Sequence, residues 1–156
     1  MPAQITHKPT LTTEEINELM GSVYPQLNEG GRAYEAIDVF PGGCKVRLNA
    51  DERHLRPGGT VSGPTLFTLA DIGGYVLVLT HAGADALSVT TNLNINFMRK
   101  ADAGPIDAHC RILKLGKSLM VFDADIVAGP DGHSIAHATG TYSIPPVRNT
   151  ENHGVK

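Results

Sequence analysis

Between Gly58 and Thr80 the chain reads GGTVSGPTLFTLADIGGYVLVLT, and a single carboxylate, Asp71, stands inside a stretch that is otherwise almost wholly apolar or small from Pro64 onward. A carboxylate among Leu66, Phe67, Leu69, Ala70, Ile72, Tyr75 and Val76 is costly to bury unless something answers its charge. Surroundings of that kind are where proteins set up a general base or a nucleophile. The structural alternatives are a cap for a helix restart at DIGG and an exposed polar stripe. Apolar flanks on every helical face speak against the stripe. Eight residues earlier stands Gly63, at the N-terminal edge of the same apolar run. Free backbone N–H groups and the helix dipole favour developing negative charge there. Having no side chain, Gly63 lets a carbonyl oxygen come close. Pro64 has no N–H to offer, which leaves Gly63 as the donor.

Spacing sets a constraint on how the two can cooperate. Eight helical residues rise about 12 Å, so Gly63 and Asp71 of one chain can hardly meet at the same carbon. If both act on one substrate they come from different subunits, and a homodimer becomes part of the mechanism. Other patterns carry less. GGTVSG lacks the glycine-x-serine-x-glycine spacing of a nucleophile elbow. His133 and His137 could share a zinc ion only on a helix; on a strand they stand about 13 Å apart, so no metal site is expected. Arg99, Lys100, Arg111, Lys114 and Lys117 fall near strand ends, where they can meet phosphates or simply be solvated.

The elements that must position these residues follow from pattern. Thr12 or Thr13 caps a short helix over about 12–20, with Glu14 and Glu15 favourably in its first turn. YEAIDVF and CKVRLNA alternate around PGG, a hairpin. HLRPGGTVSG is a loop. Ser62 is an N-cap and Pro64 suits a first turn, opening one long buried helix. Gly73 and Gly74 within it call for something packed closely against them, and HAGAD ends it. LSVTTNLNINFM alternates, with Leu87, Val89, Thr91, Leu93, Ile95 and Phe97 on one face and Ser88, Thr90, Asn92, Asn94, Asn96 and Met98 on the other. PIDAHCRILKL, SLMVFDADIVA and HSIAHATGTYSIP are further strands, separated by GKS and GPDG, and the tail from Pro145 frays. The sum is an α+β domain over 1–156, an antiparallel sheet wrapped around one long central helix. Its long edges and bare outer face call for a homodimer or a higher oligomer.

Bulk properties narrow the class. The 156 residues are 41% hydrophobic and 19% charged with a net charge of −3, which suits one folded domain and gives no global pull towards nucleic acid or an anionic membrane. Cys44 and Cys110 are far apart, without metal spacing or a disulfide framework, as befits a reducing compartment. The N-terminus lacks signal-peptide features, and the longest unbroken apolar run, Tyr75–Leu79, is too short for a bilayer. A cytoplasmic protein is expected.

SGPTLFTLAD, the long buried helix, NINFMRKADAG and LKLGKSLMVFDADI together resemble hotdog-fold acyl-CoA thioesterases of the phenylacetic-acid-degradation (PaaI-like) type. The resemblance spans roughly residues 33–145. It implies an acyl-CoA thioesterase with Asp71 at the position of the family's catalytic aspartate. Gly63 falls on the glycine whose N–H polarises the thioester carbonyl, and Thr90 or Thr91 on the hydroxyl that places water. It also implies a homodimer with its sites at the subunit interface, or a dimer of dimers, and coenzyme A as part of the substrate with no separate cofactor. Ser62 and Pro64 replace the family's usual histidine and second glycine, and Arg56 falls near a position where some members carry asparagine. Phe67 and Tyr75 are candidates to line an acyl pocket, and Arg99 and Lys100 to contact coenzyme A. Two rivals follow. One is a hotdog hydratase or dehydratase, which would need His54 or His81 to work with the carboxylate. The other is a non-catalytic acyl-CoA-binding module.

Overall fold

The computed structural model describes residues 7–83, 86–128 and 132–146. Parts of the HAGAD break and the GPDG turn, and the tail beyond 146, lie outside them. Helix α1 spans Thr13–Val23, three residues further than expected at its C-terminal end. Its start is a capping box: Thr12 Oγ1 accepts from Glu15 N at 3.1 Å while Glu15 Oε1 accepts from Thr12 N at 3.0 Å. A 3-10 turn, Pro25–Asn28, carries the chain on to the hairpin β1 (Tyr34–Phe40) and β2 (Gly43–Ala50). Asn17 pins α1 to β1 by bonding both the N–H and the C=O of Ala36, each at 2.8 Å.

Helix α2 covers Gly63–His81, and β3 (Val89–Phe97), β4 (Gly104–Leu115), β5 (Leu119–Ala128) and β6 (His133–Ser143) complete an antiparallel sheet. Its order is β1-β2-β4-β5-β6-β3, six strands among the described residues. α2 lies on the concave face. Every residue from Ile72 to His81 is buried, together with Leu66, Leu69 and Ala70. By length and composition α2 would pass for a membrane span, which the short unbroken run Tyr75–Leu79 does not show, because threonines and glycines interrupt the apolar residues without ending the helix. Here it is the core, packed against Val46, Leu48, Ala108, Phe122, Ala124 and Ala138.

Close approach of helix to sheet depends on the paired glycines. A Cβ on Gly73 would stand 2.4 Å from Cys110 Sγ, and one on Gly74 2.4 Å from Phe122 Cζ. Cys44 and Cys110 are both free and buried, directly opposite one another on β2 and β4. The convex face is polar. Arg47 grips Asp107 in a two-point ion pair at 2.8 and 2.9 Å, and Arg111 grips Asp123, which His137 also approaches at 3.2 Å.

One departure from strict alternation bears on function. Thr90 pairs with Tyr142 but Asn92 pairs with Thr141, so Thr91 is an extra residue in β3. For the residues before it, this bulge reverses the face on which the side chains lie. Thr90 therefore faces inward with Leu93, Ile95 and Phe97, although simple alternation puts Thr91 there. The correction places Thr90, not Thr91, on the side of α2.

Candidate active site

Asp71 sits midway along α2, half-buried rather than sealed in the core. Two hydroxyls converge on the same carboxylate oxygen. Thr90 Oγ1 donates to Asp71 Oδ1 at 2.5 Å, and Tyr142 Oη stands 2.8 Å from Oδ1 and 2.8 Å from the Asp71 carbonyl. Oδ2 meets no donor among the described residues. Burial, and then the negative charge of Asp71, push the Tyr142 phenol far above its ordinary value, so it stays protonated and donates to Asp71.

Asp71 lines a cavity of about 500 Å³ with Ile72, Tyr75, Ser88, Thr90, Tyr142, Val23 at the end of α1, and Tyr24 and Gln26 just beyond it. Its wall is aromatic. Tyr75 stacks on Tyr142 at 6.2 Å and meets Tyr24 edge-on at 6.4 Å, while its hydroxyl donates to Ala86 O at 2.8 Å. Ser88 is buried there, and its hydroxyl has no hydrogen-bond partner among the described residues.

The N-terminus of α2 forms a separate place. Ser62 caps it, Oγ accepting from Thr65 N at 3.3 Å, with Ser62 φ −72° and ψ 152°. The Gly63 N–H bonds to nothing among the described residues. Gly63 lines a smaller cavity of about 290 Å³ with Arg56, Thr60, Leu66, Phe97, Arg99 and Lys100. A Cβ at Gly63 would come 3.3 Å from Phe97 Cζ. So the structure brings Gly63, Arg56, Arg99 and Lys100 together, and separately Asp71, Thr90 and Tyr75. It does not bring the two groups together within one chain.

The remaining sequence candidates are placed as follows. Thr91 donates its hydroxyl to Thr141 O at 3.3 Å on β6, away from the carboxylate. Pro64 is exposed, and its carbonyl accepts from Thr68 Oγ1. Phe67 is exposed and lines neither of these cavities in this chain. His54 Nδ1 accepts from Asp51 N at 2.9 Å, and His81 Nε2 accepts from Gly42 N at 3.1 Å. Burial lowers the His81 pKa. Both rings hold loops, and neither bonds to Asp71 of its own chain. Among the described residues no group of three or more His, Cys, Asp or Glu is placed to hold a metal. Sequence reasoning missed Tyr142 and Ser88. Tyr142 had one usable signal: a phenol on the core-facing alternation of a strand must find a partner when buried, and Asp71 was the isolated acceptor.

The six described strands form an antiparallel sheet wrapped round one long helix, which is the hotdog fold. The chain belongs to the thioesterase superfamily: the model of that family matches residues 58–135, half of the chain. A relative from Saccharolobus solfataricus, named as a candidate esterase, is 31% identical over 145 residues, covering 92% of each chain. A solved candidate thioesterase from a Silicibacter species is 40% identical, with a TM-score of 0.81, covering 91% of this chain and 97% of that one. A variant of the phenylacetic acid degradation protein PaaI from Thermus thermophilus is 19% identical with a TM-score of 0.64, covering 82% of this chain and 99% of that one, a likeness of fold. Family membership supports thioester hydrolysis as the reaction class.

Proposed function

We propose that this chain is a cytoplasmic acyl-CoA thioesterase, working as a homodimer or a dimer of dimers, that hydrolyses an acyl-CoA to the free acid and coenzyme A. The carrying observation is the division of labour within one chain. A carboxylate with one open oxygen lines one cavity, and an unpaired helix N-terminal N–H beside three cations lines another. Each is half of a hydrolytic site, and two copies supply both halves.

In this reading the thioester carbonyl oxygen lies against Gly63 N–H of one subunit, where the helix terminus stabilises the oxyanion. Asp71 of the partner subunit acts through Oδ2. As a general base it takes a proton from water as the water oxygen bonds to the carbonyl carbon. The tetrahedral intermediate then collapses, the C–S bond breaks, and the departing thiolate takes up the proton. As a nucleophile it would bond to the carbonyl carbon and expel the coenzyme A thiolate, giving an acyl anhydride. Water then opens it to the free acid and the Asp71 carboxylate, its released proton going to the thiolate. The same open oxygen serves either route. Thr90 holds the carboxylate, Arg99 and Lys100 meet coenzyme A phosphate, Arg56 contributes charge beside them, and Tyr75 lines the acyl cavity.

Strand β3 supports the dimer. It is one of the sheet's two edges among the described residues, and its large apolar side chains Val89 and Phe97 are 56% and 53% exposed. Pairing with a second copy along this edge covers them. The test is thiol release over a panel of aliphatic and aromatic acyl-CoAs, with Asp71→Asn alongside. Turnover that the folded, dimeric variant loses supports the reading and identifies the acyl class. Binding of acyl-CoA with no turnover of any ester overturns it in favour of a binding module.

A further inference from the structure

We propose that Tyr142 is a positioning residue for this reaction. With Thr90 it commits one oxygen of Asp71 to the protein and leaves the other to the reacting water or thioester. The proposal rests on the reading of Asp71 given above.

An ionised carboxylate accepts several hydrogen bonds, and the direction of its free lone pairs decides where it can take a proton. In this chain both side-chain donors land on Oδ1. They are a cross-strand pair, Thr90 on β3 directly opposite Tyr142 on β6, in register because the bulge at Thr91 turns Thr90 inward. The Tyr142 proton has two acceptors at equal distance, both belonging to Asp71. The charged oxygen is the stronger of the two. The second contact ties the same phenol to the main chain of α2, so the carboxylate is located relative to its own helix.

The phenol is itself held in place. Its ring stacks on Tyr75 with 27° between planes and tilts against Phe122 at 6.1 Å. Gly74, three residues after Asp71, leaves the space it occupies: a Cβ there would stand 2.8 Å from Tyr142 Cε1. Tyr142 thus reaches Asp71 by passing under a point of the helix that only glycine leaves open. Oδ2 is left for whatever fills the cavity.

Tyr142→Phe keeps the ring and removes only the donor. Steady-state kinetics on the best acyl-CoA of the panel are expected to show kcat lowered about ten- to a hundred-fold with KM within about two-fold, the signature of lost alignment. In an Asp71→Asn background the same change is expected to lower the residual rate no further, because the group it aligns is gone. Thr90→Val, which removes the other donor from an exposed edge position, is expected to repeat the pattern and serves if Tyr142→Phe does not fold. Wild-type kcat in a folded Tyr142→Phe, or an equal fold-loss in both backgrounds, would overturn the proposal while leaving Asp71 as the base. Full activity in Asp71→Asn would remove the carboxylate reading itself, and this proposal with it.

Discussion

The placement of Gly63 and Asp71 eight residues apart on one straight helix makes a quantitative prediction about mixed dimers. Two variants are needed, each removing one half of the site without disturbing the fold. Asp71→Asn is nearly isosteric. Its amide oxygen can still accept from Thr90 and Tyr142, while the amide nitrogen replaces the open Oδ2 and cannot take a proton. Loss of the general base lowers the rate about 10²- to 10⁴-fold. Gly63→Pro removes the N–H itself. Gly63 is the first residue of α2, a position where proline is well tolerated, and Ser62 already has ψ 152°, the extended value a following proline requires. Phe97, whose ring lies 3.3 Å from a Cβ at this position, is exposed and can shift. Losing one oxyanion donor costs about 10²- to 10³-fold.

Each parent dimer therefore retains about 1% of the native rate or less. Equal amounts of the two, exchanged by co-expression or by unfolding and refolding together, give about half heterodimers. If each site takes Gly63 from one chain and Asp71 from the other, every heterodimer has one intact site and one doubly damaged site. The mixture then recovers about a quarter of the native thiol-release rate, far above either parent. If both residues served the same site from one chain, no combination would contain an intact site and the mixture would stay at the parental level. Parental activity in a mixture shown by differently tagged chains to contain heterodimers would refute the two-subunit site.

Ser88→Ala tests the unpartnered hydroxyl in the Asp71 cavity. Removing a buried donor that bonds to nothing among the described residues should leave stability unchanged or raise it by up to about 1 kcal/mol, a thermal midpoint about 2–4 °C higher. A loss of stability would mean that the hydroxyl has a partner in the assembled protein. Gly74→Ala sets two effects against each other. Alanine gains about 1 kcal/mol of helix propensity, but its methyl group meets Phe122 Cζ at 2.4 Å and Tyr142 Cε1 at 2.8 Å. Overpacking of that kind costs about 1–3 kcal/mol. A lower melting temperature is expected, with a fall in kcat as Tyr142 is displaced. A more stable variant of undiminished kcat would show that the helix has room to move.

The fold was legible because its signals are local. Two alternating segments around PGG read as a hairpin, and an apolar run opened by Ser62 and Pro64 read as a buried helix. Asp71 and Gly63 stood out for the same reason, each being the wrong residue type for a purely structural stretch. Thr90 was not separable from Thr91, because the bulge that decides between them comes from the pairing of β3 with β6, and alternation alone predicts the opposite face. Tyr142 was less visible still. It continues the inward series Ala138, Gly140, Tyr142 as any core aromatic would, and its partner lies 71 residues away.

The glycines connect these two kinds of information. Phe122 lies in a slot between Gly74 of α2 and Gly140 of β6; a Cβ on the first would stand 2.4 Å from its ring and one on the second 2.7 Å. A methyl group on either side would lift the helix from the sheet or force the ring out of its slot. Tyr142 is the next inward residue after Gly140, and Asp71 precedes Gly74 by one helical turn, so the hydroxyl and the carboxylate meet at the edge of the same slot. The reach of 2.8 Å between them is therefore set by packing on the far side of Phe122 as much as by either partner. The small residues that make α2 a poorer helix on its own are what allow its carboxylate to be held by a neighbouring strand.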